Sequence, residues 1–194
     1  EEATKDDSLS ALLSRLPTRN LAAVASISKG KTGIKDARPG HFPLVVTAET
    51  RSSADHFDFE GPGVMIPMVS STGHGDASLK RIHFQDGQYA VGSILAVVHP
   101  KDSSVLSARY LHAYLSAFKD ELLVSRMVGT ANVSLTAAKI GDVPVPLLPI
   151  QGQHAIAELM TLCDRLDVGQ ADAASAHARL VETLLCTLTQ CSDA

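Results

Sequence analysis

Several clusters in this 194-residue chain carry residue types that do chemistry, and the first is Ala25-Ser26-Ile27-Ser28-Lys29-Gly30-Lys31-Thr32. It fits the permissive phosphate-loop pattern A-x-x-x-x-G-K-T, whose chemistry needs the loop to open a helix so that its first amides hold the phosphates. Gly33, Pro39 and Gly40 follow within a few residues, so no helix can continue. A nucleotide site is therefore set aside, leaving two readings: an ordinary connection, or a loop whose Lys29, Lys31, Thr32, Lys35 and Arg38 contact a DNA backbone. The eight histidines show neither H-x-x-x-H nor H-E-x-x-H spacing, and no C-x-x-C pair occurs, so no metal site is expected. No G-x-S-x-G elbow, no nuclease-type group of acids with a following lysine and no methyltransferase glycine motif is found. The chain is expected to have no catalytic residue of its own.

Ser70 to Arg81 is the best candidate for reading bases. Glycines at 73 and 75 let backbone approach another surface closely, and Ser70, Ser71, Thr72 and His74 offer donors and acceptors to base edges. Lys80 and Arg81 add charge just beyond, of the kind that meets phosphates. The competing reading is a hairpin loop with solvated polar residues. Gly129-Thr130-Ala131-Asn132 reads chiefly as a structural turn returning the chain from a helix, with Thr130 or Asn132 available to a phosphate.

The elements that must position these loops follow from periodicity. Leu9, Leu12, Leu13 and Leu16 predict a short amphipathic helix closed by Pro17. Strands are expected over Phe42–Thr47 and over Val64–Val69, the latter pushed towards an edge by Pro67. A further strand is expected within Leu79–Phe84, and the apolar run Tyr89–Val98 after the Asp86-Gly87 turn reads as one buried strand. Arg51–Gly63 is expected as a polar surface insertion. Ser107 caps a helix presenting Tyr110, Leu111, Tyr114, Leu115 and Phe118. The alternating V-P-V-P before Leu147 reads as an edge strand or one beside irregular backbone.

The tail differs in character. Leu159, Leu166, Ala173 and Leu180 lie seven apart, and Cys163, His177, Leu184 and Cys191 form a second row, a pattern that predicts a long helix with a coiled-coil seam. Gly169 inside it costs ~1 kcal/mol relative to Ala. The class expected is α+β: a small β-rich body with irregular loops, then the long helix.

Charge is uneven. Between Arg15 and Arg51 seven basic residues face two acidic ones, a local +5, whereas from Gln151 onward two basic face six acidic, a local −4. A basic body beside an acidic helix suggests polyanion binding on one and protein packing on the other, against the plainer reading of ordinary surface fluctuation. No apolar run approaches the ~18 residues of a membrane span. The acidic N-terminus is unlike a secretory leader, and the three cysteines read as reduced thiols, so a cytoplasmic setting is expected.

The order loop, short helical turn, Pro-rich strand and long helix over Met127–Pro149 and beyond resembles the C-terminal part of a target recognition domain. Such domains belong to the specificity subunits of type I restriction–modification systems. Gly30-Lys31-Thr32-Gly33 matches a frequent family loop, and the run from Gly63 through Pro67 to Gly75 is similar to a branch of these domains. Gln153-His154 and Leu162-Cys163-Asp164-Arg165-Leu166 resemble the family's helix.

The resemblance implies a short helix and linker over 1–19, a recognition domain over 20–149 and a helix for dimerisation or docking over 150–194. It further implies a non-catalytic, cofactor-free chain that selects double-stranded DNA through Lys29, Lys31, Thr32, Lys35, Arg38, Arg51, Ser70, Ser71, Thr72, Gly73, His74, Lys80 and Arg81. Leu159, Cys163, Leu166, Ala173, His177, Leu180 and Leu184 would pack the helix. The partners implied are methyltransferase subunits, restriction nuclease subunits in the full complex and a second copy of the helix. Family members usually carry two recognition domains and two long helices, and this chain has one of each. It is expected to be a natural half-subunit, a domain from a fused methyltransferase or a fragment. The alternative function is a protein-interaction module that binds no DNA.

Overall fold

The computed structural model describes residues 15–72, 75–130 and 132–165, with side chains through residue 161. Ten strands are described: β1 (Thr18–Asn20), β2 (Ala25–Lys29), β3 (Phe42–Val45), β4 (Ser52–Ala54), β5 (Phe59–Glu60), β6 (Gly63–Pro67), β7 (His83–Gln85), β8 (Gln88–Val91), β9 (Leu95–Pro100) and β10 (Pro144–Pro146). Five α-helices accompany them: α1 (Leu21–Val24), α2 (Ala108–Ala117), α3 (Lys119–Leu122), α4 (Ala137–Gly141) and α5 (Ile150–Arg165). The class is α+β, as the sequence suggests.

Two four-stranded sheets carry the body. One runs β2-β9-β6-β7 and is wholly antiparallel; the other runs β4-β3-β8-β5, with β3 and β8 parallel. The period of two along a strand sorts side chains to opposite faces. In β6 and β9, Val64, Ile66, Ala96 and Val98 face a core shared with Tyr110, Leu111, Tyr114 and Leu115 of α2. Met65, Leu95 and Val97 on the other face meet Val45, Tyr89 and Val91 of the second sheet. The first sheet is thus covered on both sides, by helices and by another sheet.

That double cover explains two departures from expectation. The Tyr89–Val98 run is not one strand: Gly92-Ser93-Ile94 breaks it, placing β8 and β9 in different sheets. Continuous apolarity reflects burial on both faces and says nothing of continuity. Second, β6 is an internal strand, not an edge. Pro67 sits opposite Leu95 at its last position, whereas β7 pairs only as far as Met65, so the missing amide proton faces no partner. The Arg51–Gly63 segment is also more than a surface insertion: β4 and β5 lie within it, and Ala54 is fully buried. The Leu79–Phe84 run forms a strand only from His83.

The Pro-rich strand behaves as its chemistry demands. β10 pairs only with β1, and the Leu147 amide donates to the Pro17 carbonyl, so odd-numbered residues face β1. Pro144 and Pro146 point the other way, where no ladder donor is needed. Their carbonyls accept from the Tyr114 hydroxyl at 2.9 Å and the Tyr110 hydroxyl at 3.0 Å, one turn apart on α2. Ser107 caps α2 by accepting from the Tyr110 amide.

Gln153 locks α5 to this core. Its fully buried amide accepts from the Ser107 amide at 2.9 Å and donates to the carbonyls of Val105 at 2.8 Å and Leu148 at 2.9 Å. Gln153, Ile156, Ala157 and Met160 form the buried stripe of α5, with the expected seam residue Leu159 half-buried beside it. Cys163 falls on the described helix backbone. Leu166, Ala173, His177, Leu180 and Leu184, the rest of the expected seam, lie outside the described residues, as does most of the Leu9–Leu16 helix.

Candidate nucleic-acid interface

Strand directions gather several connections at one end of the body. β2 and β6 both run antiparallel to β9, ending opposite Ala96 and Leu95, while the parallel pair β3 and β8 ends at Val45 and Val91. The segments after β3, β6 and β8 therefore emerge together. A cleft of about 490 Å³ opens there, lined by Thr47, Glu49, Pro67, Val69, Ile94 and neighbours that include Ser70, Ser71, Lys80 and Arg81. Four residues singled out from the sequence thus share one site.

The loop after β6 is closed by its own side chains. The Ser70 hydroxyl donates to the Asp76 carbonyl and accepts from the Ser78 amide, the Ser71 hydroxyl donates to Ser78, and the Thr72 hydroxyl donates to Asp76. Such short-range side-chain-to-backbone bonds give a polar loop its shape without strand pairing. Gly73 and His74 lie outside the described residues.

The Gly129 loop is the neighbour of this one. Val128 and Ser134 exchange two backbone bonds of 2.9 Å, Leu135 donates to Met68 and Ser70 donates to Val133. Ser134 bridges both Val69 and Val128, which are 41% and 52% exposed, and Val69 also lines the cleft. Gly75, at φ +91°, approaches so closely that a Cβ would stand 2.8 Å from the Thr130 carbonyl. The two glycine loops, far apart in sequence, form one surface.

The electrostatics are mixed. Lys80 is exposed and makes no ion pair with any described residue, whereas Arg81 Nη1 stands 2.9 Å from Glu49 Oε2. Beneath them His83 is buried, and its ring pKa is pushed down to about 4 by burial, then by the positive charges of Arg51, Arg81 and His112, against a contribution from the Thr47 backbone. Arg51 Nη1 lies 3.1 Å from His83 Nδ1, which fixes that nitrogen as the acceptor.

Other expected residues go elsewhere. Arg51 is half-buried and also donates to Gln85 Oε1, the Phe84 carbonyl and the Glu49 carbonyl, making it a strut along β7 rather than a free contact. Thr32 is likewise engaged within the body. Only 5% exposed, its hydroxyl donates to Asp58 Oδ2 at 2.7 Å and meets His56 Nε2 at 3.1 Å, while its amide donates to Val91. Gly30 explains why: a Cβ there would fall 2.2 Å from the Gly92 carbonyl, so the loop is wedged against the β8–β9 turn. Lys29 and Lys35 are exposed, the Lys31 ammonium stands 5.1 Å over the Phe59 ring, and Arg38 acts on the carboxyl of Asp55. None of these six lines the cleft. Glu49, Val69 and Ile94 were not singled out from the sequence; Arg81 is 32 positions from Glu49, and no local pattern links them.

No three His, Cys, Asp or Glu side chains converge as a metal site, and no helix is long and apolar enough to cross a membrane, both among the described residues. No protein-family model matches the chain. Over 50 residues it is 46% identical to the Type I restriction enzyme EcoAI specificity subunit of Escherichia coli, a match spanning 24% of this chain and 8% of that protein. Among solved structures it shares its fold with the S subunit of a type I restriction–modification system from M. genitalium (TM-score 0.60, 14% identity, 76% of this chain and 38% of that one). It also matches a chain from a type I system solved for its complex assembly and conformational transition (TM-score 0.56, 20% identity, 94% of this chain and 50% of that one). The chain spans half or less of the proteins it matches. In fold, and over that stretch in sequence, it resembles the specificity subunits of type I restriction–modification systems.

Proposed function

We propose that this chain binds double-stranded DNA in a sequence-specific manner, reading one half of a bipartite site, and that it sets the target of a restriction–modification complex without catalysing a step itself. The observation that carries this reading is the convergence of Ser70, Ser71, Lys80 and Arg81 on one cleft at the loop end of the body. Hydroxyls and backbone on glycine-rich loops suit base edges, an uncommitted lysine suits a phosphate, and the exposed Val69 in the cleft wall suits a thymine methyl group. The likeness to proteins named specificity subunits supports it. Lys29, Lys31, Lys35 and Arg38 are proposed as outlying backbone contacts.

In this reading α5 carries the domain towards methyltransferase subunits, which bring cofactor and chemistry, with nuclease subunits joining in the full complex. Self-pairing along Leu166, Ala173, His177, Leu180 and Leu184 is part of the same proposal. The test is selection from a random-duplex library at moderate salt, with and without a partner methyltransferase, followed by sequencing of retained DNA. Enrichment of a short half-site is expected. Retention without enrichment removes the base-reading claim, and no retention even with the partner replaces the reading with a protein-interaction module.

A further inference from the structure

Glu49 is out of place in a surface that meets a polyanion. Its side chain is 81% exposed, it lines the same cleft as Lys80 and Arg81, and its carboxylate is engaged by Arg81 at 2.9 Å. An exposed pair of this kind contributes little to folding. With Arg81 38% and Glu49 81% exposed, stability does not account for the carboxylate.

Two electrostatic consequences follow from the geometry. An approaching phosphate is repelled by Glu49 and competes with it for Arg81, so every duplex is penalised alike. A carboxylate can also accept a hydrogen bond from an exocyclic amino group in the major groove, N4 of cytosine or N6 of adenine. Only a sequence presenting that donor at the right place satisfies Glu49 and frees Arg81 for the DNA. Lys80, with no ion pair among the described residues, keeps the cleft attractive to DNA in the meantime.

Resting on the function proposed above, we infer that Glu49 is a specificity-determining residue. It holds Arg81 off arbitrary DNA, and an amino group of the cognate half-site releases it. A penalty on wrong partners combined with a match to the right one is how specificity exceeds affinity.

The test compares the full chain with Glu49→Gln on two duplexes of equal length, the half-site recovered by selection and a scrambled one, over a range of salt. Glu49→Gln is expected to bind the scrambled duplex about tenfold tighter, with a salt slope steeper by about one, because Arg81 is then free to take a phosphate. Binding to the half-site is expected to stay level or weaken, so discrimination falls about tenfold or more. In an Arg81→Gln background the gain on scrambled DNA is expected to shrink towards nothing. An equal shift on both duplexes, or the same gain without Arg81, overturns the inference while leaving DNA recognition intact. No retention of DNA by the unaltered chain, even with its partner, overturns both. An unchanged melting temperature for Glu49→Gln confirms that the fold is not being read instead.

Discussion

The two polar, glycine-bearing loops at Gly30–Gly33 and Ser70–Arg81 look alike as sequence and behave as opposites in the structure. In the first, Thr32 bonds side chains 24 and 26 positions away, at His56 and Asp58, and Gly30 is wedged against the backbone of the β8–β9 turn. In the second, the hydroxyl bonds among the described residues close within eight positions, between Ser70, Ser71, Thr72, Asp76 and Ser78. Long-range bonds turn a loop into a clamp between sheets. Short-range bonds leave it a self-supporting shape whose outer surface is free for a ligand. Composition does not separate these outcomes, but the reach of the hydroxyl side-chain bonds does.

The contrast can be broken most forcefully at Gly30. Gly30→Ala forces a Cβ into main-chain atoms of Gly92 and Val91 and is expected to destabilise by about 3 kcal/mol, read as a lower urea midpoint. A change under ~0.5 kcal/mol would show that the wedge is not structural. Thr32→Val removes the hydroxyl from Asp58 and His56 and should cost about 1–3 kcal/mol, with DNA affinity of the folded protein preserved. A loss of affinity with no loss of stability would return Thr32 to the interface.

An effect of similar size is expected from pH. His83 has its folded pKa near 4 against an ordinary 6.5, so the unfolded chain binds its proton first as pH falls. Stability from this group is complete above about 6.5 and lost progressively down to about 4. Melting curves across that window should show the decline, and His83→Gln should flatten it. The smallest changes are matched lysines. Lys80→Ala should leave stability within ~0.5 kcal/mol while flattening the salt slope of DNA binding by about one. Lys31→Ala in the other loop tests the same slope; a loss confined to one cognate sequence would contradict its assignment to phosphate.

Periodicity made the helices readable. Ser107 and the apolar side of α2, the short turn of α4 and the pairing habits of the Pro-rich strand all lie in local sequence, where capping and alternation act over a few residues. The strand breaks were less legible. Tyr89 to Val98 is apolar throughout because both of its halves are buried on two faces, and only Gly92 marks the change of sheet. Pro67 signals an edge only at its own position and not for the whole strand: the neighbouring β7 stops two positions earlier. In the candidate site, the Ser70–Arg81 loop was found from its residue types, whereas Glu49 joins it through a pairing 32 positions long that no pattern of spacing encodes.

The three bonds of the Gln153 amide have a geometric consequence beyond holding α5 in place. Together with the buried Ile156 and Met160 one and two turns on, they fix the helix against rotation about its own axis. At about 100° and 1.5 Å per residue, a single residue inserted just after Met160 would leave the docked turns untouched and turn the rest of the helix, to Arg165, by more than a quarter of a circle. The junction works as a gear tooth: the direction in which the cleft faces relative to the far end of α5 is indexed in residue counts, and insertions or deletions there re-aim the cleft without altering a single atom of it.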